Sequence, residues 1–392
     1  MINKNKDRGI TLVALVITII ILLILATISI QSLTNTGLFQ KAQEAKEKTQ
    51  NAEENQAKTL NEYEDELNKY ISGTVEERKD PIKEVAHKVL STTDNTELED
   101  AYGNKIVVPA GFKIVSDSTT NNAQTVNQGI VIEDATKTAE GTETSTSGSQ
   151  FVWIPVGKIY TDVAKTDANA KTIELNRYTF DSNGKPTAQG EKVIETYYSE
   201  TASKGNTVAK DINAFKTSVA TNGGYYIGRY EARTTTKRTA EGNALTQITE
   251  KGTDQIYNYV KQSQAAKLSQ EMYNSNKFTS DLMNGYAWDT ATLFLQTCGT
   301  NTTYSRKNSV NTALSQTGTN IQKTKDVQCN VYDMASNVLE WTTETSYKPN
   351  IPCVGRGGYY YNSNYYTSDR NYDNTSNSYD RIGFRPLLYL NI

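Results

Sequence analysis

Residues 10–30 carry no charged side chain, and the short leader before them is basic, with Lys4, Lys6 and Arg8. As a helix rising 1.5 Å per residue the run would be about 31 Å long, which predicts a membrane-crossing segment. The basic leader orients it with the N-terminus inside and the rest of the chain outside. From 31 to 72 the chain is rich in Ala, Glu, Lys, Gln and Asn and free of proline. There Leu33, Leu38, Ala42, Ala45, Ala52, Leu60, Tyr63, Leu67 and Ile71 form a thin apolar stripe, the pattern of a helical stalk. Gly73 and Pro81 end it, and residues 73–99 read as a linker with a short helix near 82–90.

Beyond residue 100 the pattern changes to short apolar runs bounded by turn residues. The segments 105–109, 129–132, 151–157 and 222–232 read as strands, and 282–298, with Ala287, Trp288, Leu293, Phe294 and Leu295, reads as a helix beneath a sheet. Residues 136–149 form a Thr/Ser/Gly loop. The 359–381 segment, YYYNSNYYTSDRNYDNTSNSYDR, contains no aliphatic residue and cannot supply a core. Strand-like flanks at 354–358 and 382–390 hold it on both sides. Tyrosine gives large contact area with few torsions to freeze, while Ser and Asn give adaptable hydrogen bonds, so the tract has the composition of a recognition surface.

A net charge of −3 gives no reason to expect nucleic acid as a partner. Tyrosines (25) outnumber phenylalanines (8), which places many rings at boundaries where a hydroxyl is useful. Cys298, Cys329 and Cys353 are odd in number and lack CxxC spacing, so neither a zinc site nor a disulfide framework is indicated. His87 is the single histidine, which removes a His-based metal cluster.

The run Arg8-Gly9-Ile10-Thr11-Leu12-Val13 resembles the class III leader of type IV prepilins and pseudopilins. The resemblance implies a leader at 1–9, cleavage after Gly9, methylation of Ile10 and pilus or pseudopilus subunits as partners. Ala14 stands where that family usually carries Glu, which argues against a major filament subunit.

Four boxes in order, FVWIPVG, GGYYIGRYEA, VYDMASNVLEW and the pair VGRGG with IGFRP, resemble the sulfatase-modifying factor (formylglycine-generating enzyme) family over residues 100–392. That family has a C-type-lectin-like fold. The resemblance puts Asn362 and Thr367 where the enzymes carry the two cysteines that oxidise a substrate cysteine, so thiol and copper chemistry is lost. It also implies calcium as the one cofactor, at Ala335, Ser336, Val338 and Glu340. Asn codons become Tyr, Asp, Ser or Thr codons by replacement of adenine, as in the variable proteins that diversity-generating retroelements act on. A Tyr/Asn/Ser/Thr/Asp tract near the C-terminus resembles such a variable region.

These readings together predict an α+β chain, a long N-terminal transmembrane and stalk helix followed by a C-type-lectin-like domain at 100–392. It would be a single-pass membrane protein displaying a non-catalytic, adhesin-like or minor-pilin-like head outside the cell. The expected ligand surface is Tyr361, Asn362, Asn364, Tyr365, Tyr366, Asp369, Asn371, Tyr372, Asn374, Asn377 and Tyr379, and the ligand a protein or a glycan. A formylglycine-generating-type oxidoreductase using other residues and a purely structural minor pilin stay open as alternatives. Arg356, Arg370 and Arg385 suit structural ion pairs at strand ends better than ligand contacts.

Overall fold

The computed structural model describes residues 12–35, 81–115, 125–190, 198–199, 211–309, 326–346, 348–360, 362 and 364–392, with scattered positions between 41 and 63. The chain divides into two compact units, Met1–Arg78 and Lys79–Ile392.

In the first unit helix α1 is Leu12–Asn35. Near its end the Thr27 hydroxyl bonds back to the Leu23 carbonyl, and Ser29 does the same to Leu25 at 2.8 Å. Among the described residues no helix is long and apolar enough to cross a membrane. That corrects the expectation of a transmembrane, pilin-like helix at 10–30, and with it the membrane partner and the single-pass cell-membrane placement. Residues 44–53 are helical. Gly9, Ile10 and most of the stalk beyond residue 53 lie outside the described residues. The expected architecture, a long transmembrane and stalk helix leading an α+β domain, gives way to a mixed α and β fold rich in strands.

In the second unit eleven strands build two main sheets. Strands β1 (Phe112–Val115), β2 (Val131–Asp134), β3 (Gln150–Pro155), β5 (Gly224–Gly228), β6 (Phe278–Leu282) and β11 (Pro386–Leu390) form a six-stranded antiparallel sheet in the order β6-β11-β5-β3-β2-β1. Strands β4 (Tyr198–Ser199), β7 (Leu339–Ser346), β8 (Cys353–Arg356) and β9 (Arg370–Asp373) form the second sheet in that order, with β10 (Ile382–Phe384) running parallel to β7. The central strands β3 and β5 are almost wholly buried, which is why their sequences read as continuous apolar runs. Adjacent residues of β5 point to opposite faces. Tyr225 accordingly donates its hydroxyl to the Ala287 carbonyl at 2.6 Å, and Tyr226 donates to Val107 at 2.9 Å. Both rings are buried with their polar ends satisfied.

Helices α2 (Ile212–Asn222), α3 (Gln262–Gln270) and α4 (Gly285–Cys298) lie in the same unit, beside a short helix at Pro81–Val85 and several two-stranded ribbons. The Asp211 carboxylate caps α2 through the amides of Asn213 and Ala214. Asn284 caps α4 by accepting from the Ala287 amide at 2.9 Å. Helix α4 is buried from Gly285 to Gln296 and delivers Trp288 and Asp289 into the interior.

The two sheets are joined at Arg385. The chain leaves β10 of one sheet at Phe384 and enters β11 of the other at Pro386, whose missing amide suits a strand start. The buried Arg385 guanidinium there donates to the Gly228 carbonyl of the six-stranded sheet at 2.8 Å and to both Glu340 oxygens of β7, at 2.6 and 3.0 Å. The 382–390 run is thus two strands in two sheets.

Gly224 faces the edge of the Trp153 ring so closely that an added Cβ would collide with it, and it would lie 2.6 Å from the Ile154 carbonyl. Gly224→Ala is expected to cost about 1–3 kcal/mol through overpacking, read as a lower urea midpoint. An unchanged midpoint would contradict this packing.

Candidate functional site

The 359–381 tract is two loops separated by a strand. The chain leaves β8, passes through 357–369, returns antiparallel as β9 with Arg370 opposite Arg356, then crosses 374–381 to β10. Gly357 makes the first turn possible, since its φ is +77° and a Cβ there would press on the Trp288 ring at 3.2 Å.

Beneath this crossover lies a closed ring of four buried charges. Arg356 donates to Asp289 at 2.5 Å and to Glu344 at 2.7 Å; Arg370 donates to Glu344 at 2.8 Å and to the other Asp289 oxygen. Arg356 also bonds the carbonyls of Asp369 (3.0 Å) and Ser368 (3.2 Å), so the ring grips the backbone of the first loop directly. Burial alone would raise the Glu344 carboxyl, but Arg370 and Arg356 outweigh it and hold Glu344 down at about 2. Burial likewise opposes the Arg370 charge, and Asp289 with Glu344 raises it above the ordinary arginine value.

Thr367 completes the attachment. It is buried, donates its hydroxyl to Tyr304 at 2.8 Å and its amide to Lys307 at 3.2 Å, and its carbonyl accepts from the Trp288 indole at 3.0 Å. Asn362 accepts from Ser309 Oγ at its carbonyl (2.5 Å) and from the Asn364 amide at its side chain (2.9 Å). The two positions that the family resemblance assigns to catalytic cysteines are therefore hydrogen-bonded framework groups.

Above this frame the tyrosines are graded in exposure. Tyr360 is buried at 4% and donates to Asp380 at 2.6 Å. Tyr359, Tyr365, Tyr366 and Tyr379 are half-buried, and Tyr372 is exposed at 43%. Tyr365 packs on Tyr359 with centroids 5.1 Å apart. Asn364 is exposed, while Asp369 is half-buried and closes a turn by accepting from the Tyr366 amide at 2.9 Å. Asn371 is half-buried on β9. In the second loop Asn374 accepts from Ser376, and Asn377 donates to Asp373. Tyr361 lies outside the described residues.

Three cations from outside the expected set meet these rings. Arg306 lies 3.8 Å from the Tyr366 centroid, Lys348 lies 4.0 Å from Tyr372 and donates to its hydroxyl at 2.8 Å, and Arg381 lies 4.3 Å from Tyr379 and 5.8 Å from Tyr359. Rings from both loops thus converge on Arg381. Arg306 and Lys348 are distant in sequence from the rings they meet, and no local pattern signals them. Arg381 is the last residue of the tract and was not among the expected ligand residues. Tyr359, Tyr360, Asp380 and Arg381 line a cavity of about 380 Å³. A larger hollow of about 1050 Å³, lined among others by Thr136, Thr146, Tyr273 and Asn276, contains no residue of the tract.

The remaining candidates for chemistry are closed in. Burial pushes Cys298 and Cys353 up to about 12 and Cys329 up as well, leaving thiols rather than thiolates near neutral pH. At the calcium positions, the Ala335 amide donates to Asp326 at 3.0 Å, the Ser336 amide to the Asp333 carbonyl at 3.1 Å and the Val338 amide to Glu231 at 3.2 Å. Both Glu340 oxygens are taken by Arg385, whose positive charge would repel a second cation. The Glu340 side chain therefore does not fit a calcium ligand, and no group of three or more His, Cys, Asp or Glu able to hold a metal occurs among the described residues.

No family model matches the chain, and no curated protein matches it. Among solved structures it is similar to Treponema denticola variable protein 1, with 13% identity over 62% of this chain and 97% of that one, at a TM-score of 0.34. That likeness is too slight to carry an argument about fold or function. The resemblance to the formylglycine-generating family has no family-level match behind it.

Arg370→Met would leave two buried carboxylates with one arginine and is expected to cost about 3–5 kcal/mol in denaturant unfolding. Glu344 sits below its ordinary value of 4.5, so its stabilising contribution is present above pH 4.5 and fades as pH falls toward 2. The stability difference between the wild type and Glu344→Gln should therefore shrink over that window. A pH-independent difference would contradict the ion pairing.

Proposed function

We propose that this chain is a non-catalytic binding protein whose ligand surface is the 359–381 segment. The observation that carries the reading is the contrast between the segment's backbone and its rings. The backbone is tied to a buried ring of charges at Arg356 and Arg370, while Tyr359, Tyr365, Tyr366, Tyr372 and Tyr379 stay open to solvent in part or largely. Recognition surfaces gain affinity when contact groups are held in place before the partner arrives, because less entropy is lost on binding. Rings pinned by cations on a rigid frame meet that condition. The neutral thiols and the bonded states of Asn362 and Thr367 support binding over thiol oxidation.

The ligand is a protein or a glycan, since aromatic faces suit both. The full chain, immobilised and presented to cell-surface proteins and to a glycan array, is expected to capture a partner saturably. Tyr366→Ala and Tyr372→Ala should weaken that binding at least about tenfold, as contact tyrosines commonly do, with the melting temperature unchanged. Unaltered binding by both variants, or copper-dependent oxidation of a cysteine peptide by the chain, would overturn the reading.

The composition of the tract further supports its being a region diversified at adenines. Were it so, replacement would be tolerated at open positions such as Asn364, Tyr366 and Tyr372. It would be disfavoured at Tyr360, Thr367 and Arg370, which are bonded into the frame. Comparison of the coding tract with a nearby imperfect repeat tests this. Mismatches spread evenly over both groups, or absent from template adenines, would count against it.

A further inference from the structure

Arg356, Arg370 and Arg385 are each committed to buried carboxylates, but Arg381 is not. Its backbone carbonyl accepts from the Leu339 amide at 2.9 Å, which anchors it to β7. Its guanidinium lies over Tyr379 at 4.3 Å and Tyr359 at 5.8 Å, and among the described residues it makes no hydrogen bond or ion pair. Ring contact of this kind holds a guanidinium in place without using its N–H donors. The nearby acids do not use them either. Asp380 accepts from the Tyr360 hydroxyl at 2.6 Å, and Asp373 accepts from the side chain of Asn377 and from the Asn374 amide at 2.9 Å.

Resting on the binding role above, we propose that Arg381 is the charged anchor of the ligand surface and that the cavity beside it receives a carboxylate side chain of an acidic protein partner. The planar fork offers two parallel donors that match a carboxylate. The cavity of about 380 Å³ has tyrosine walls and suits one inserted side chain. Asp380 forms part of the same wall, which disfavours the denser charge of a phosphate dianion. The Tyr/Asn/Ser surroundings are those of protein-binding paratopes, which favours an acidic protein segment over an anionic glycan.

The test uses the full chain in titration calorimetry with a capped acidic hexapeptide, its counterpart carrying amide side chains, and inorganic phosphate. The acidic peptide should bind saturably and its amide counterpart at least about tenfold more weakly. Arg381→Ala should lose the acidic peptide, and Arg381→Lys should recover part of it, with melting temperatures unchanged. Absent binding, equal binding of the two peptides, or unchanged binding by Arg381→Ala would overturn the proposal. Phosphate displacing the peptide at equal concentration would overturn the assignment to carboxylate. A partner captured by the chain separates the two levels. If Tyr366→Ala and Tyr372→Ala weaken it while Arg381→Ala does not, the carboxylate anchor alone fails. If none of the three matters, the binding role of the tract fails with it.

Discussion

The ring formed by Arg356, Asp289, Arg370 and Glu344 is the constraint from which the site follows. Four charges withdrawn from water carry a desolvation cost of several kcal/mol each, and only complete mutual pairing offsets it. Each arginine here reaches both carboxylates, and each carboxylate reaches both arginines. The four residues come from helix α4 and strands β7, β8 and β9, so the pairing fixes those elements relative to one another. Because Arg356 also bonds the carbonyls of Ser368 and Asp369, a loop without aliphatic residues acquires a defined course. It needs no hydrophobic core of its own.

Arg385 does a related job between the sheets. One guanidinium bonds Gly228 in the six-stranded sheet and Glu340 in the other, at the point where the chain passes between them. Three arginines therefore hold the frame. Arg381, Arg306 and Lys348 instead face tyrosine rings, where they steady the ring positions. The division of cations into framework and surface groups follows from which carboxylates the topology brings near each one.

Much of the frame was legible from local pattern. The apolar run FVWIPV and the run YYIG announced β3 and β5, and 282–298 announced α4 within a few residues of its observed start at Gly285. The flanks of the tract were legible as strands from the apolar residues of 382–390 and the glycine-rich VGRGG at 354–358. What local pattern could not give was pairing over distance. Nothing near Asp289 in sequence signals that it meets Arg356 and Arg370, and Arg306 and Lys348 reach Tyr366 and Tyr372 only through the folded chain. The strand Arg370–Asp373 inside the tract was missed because polar residues form it, and β8 rather than a core supports it. At the N-terminus the apolar run suggested a span, yet no described helix is long and apolar enough to cross a membrane.

The central claim is that the tract is a backbone fixed from below with its rings presented above. Amide hydrogen exchange of the full chain tests this most directly, residue by residue across 359–381. The amides of Thr367, Ser368 and Asp369, bonded to Lys307, Ser305 and Tyr366 at 3.2, 3.1 and 3.0 Å, are predicted to exchange with the slow protection of the sheet beneath them. Exchange at those three positions as fast as in an unstructured peptide would contradict the account.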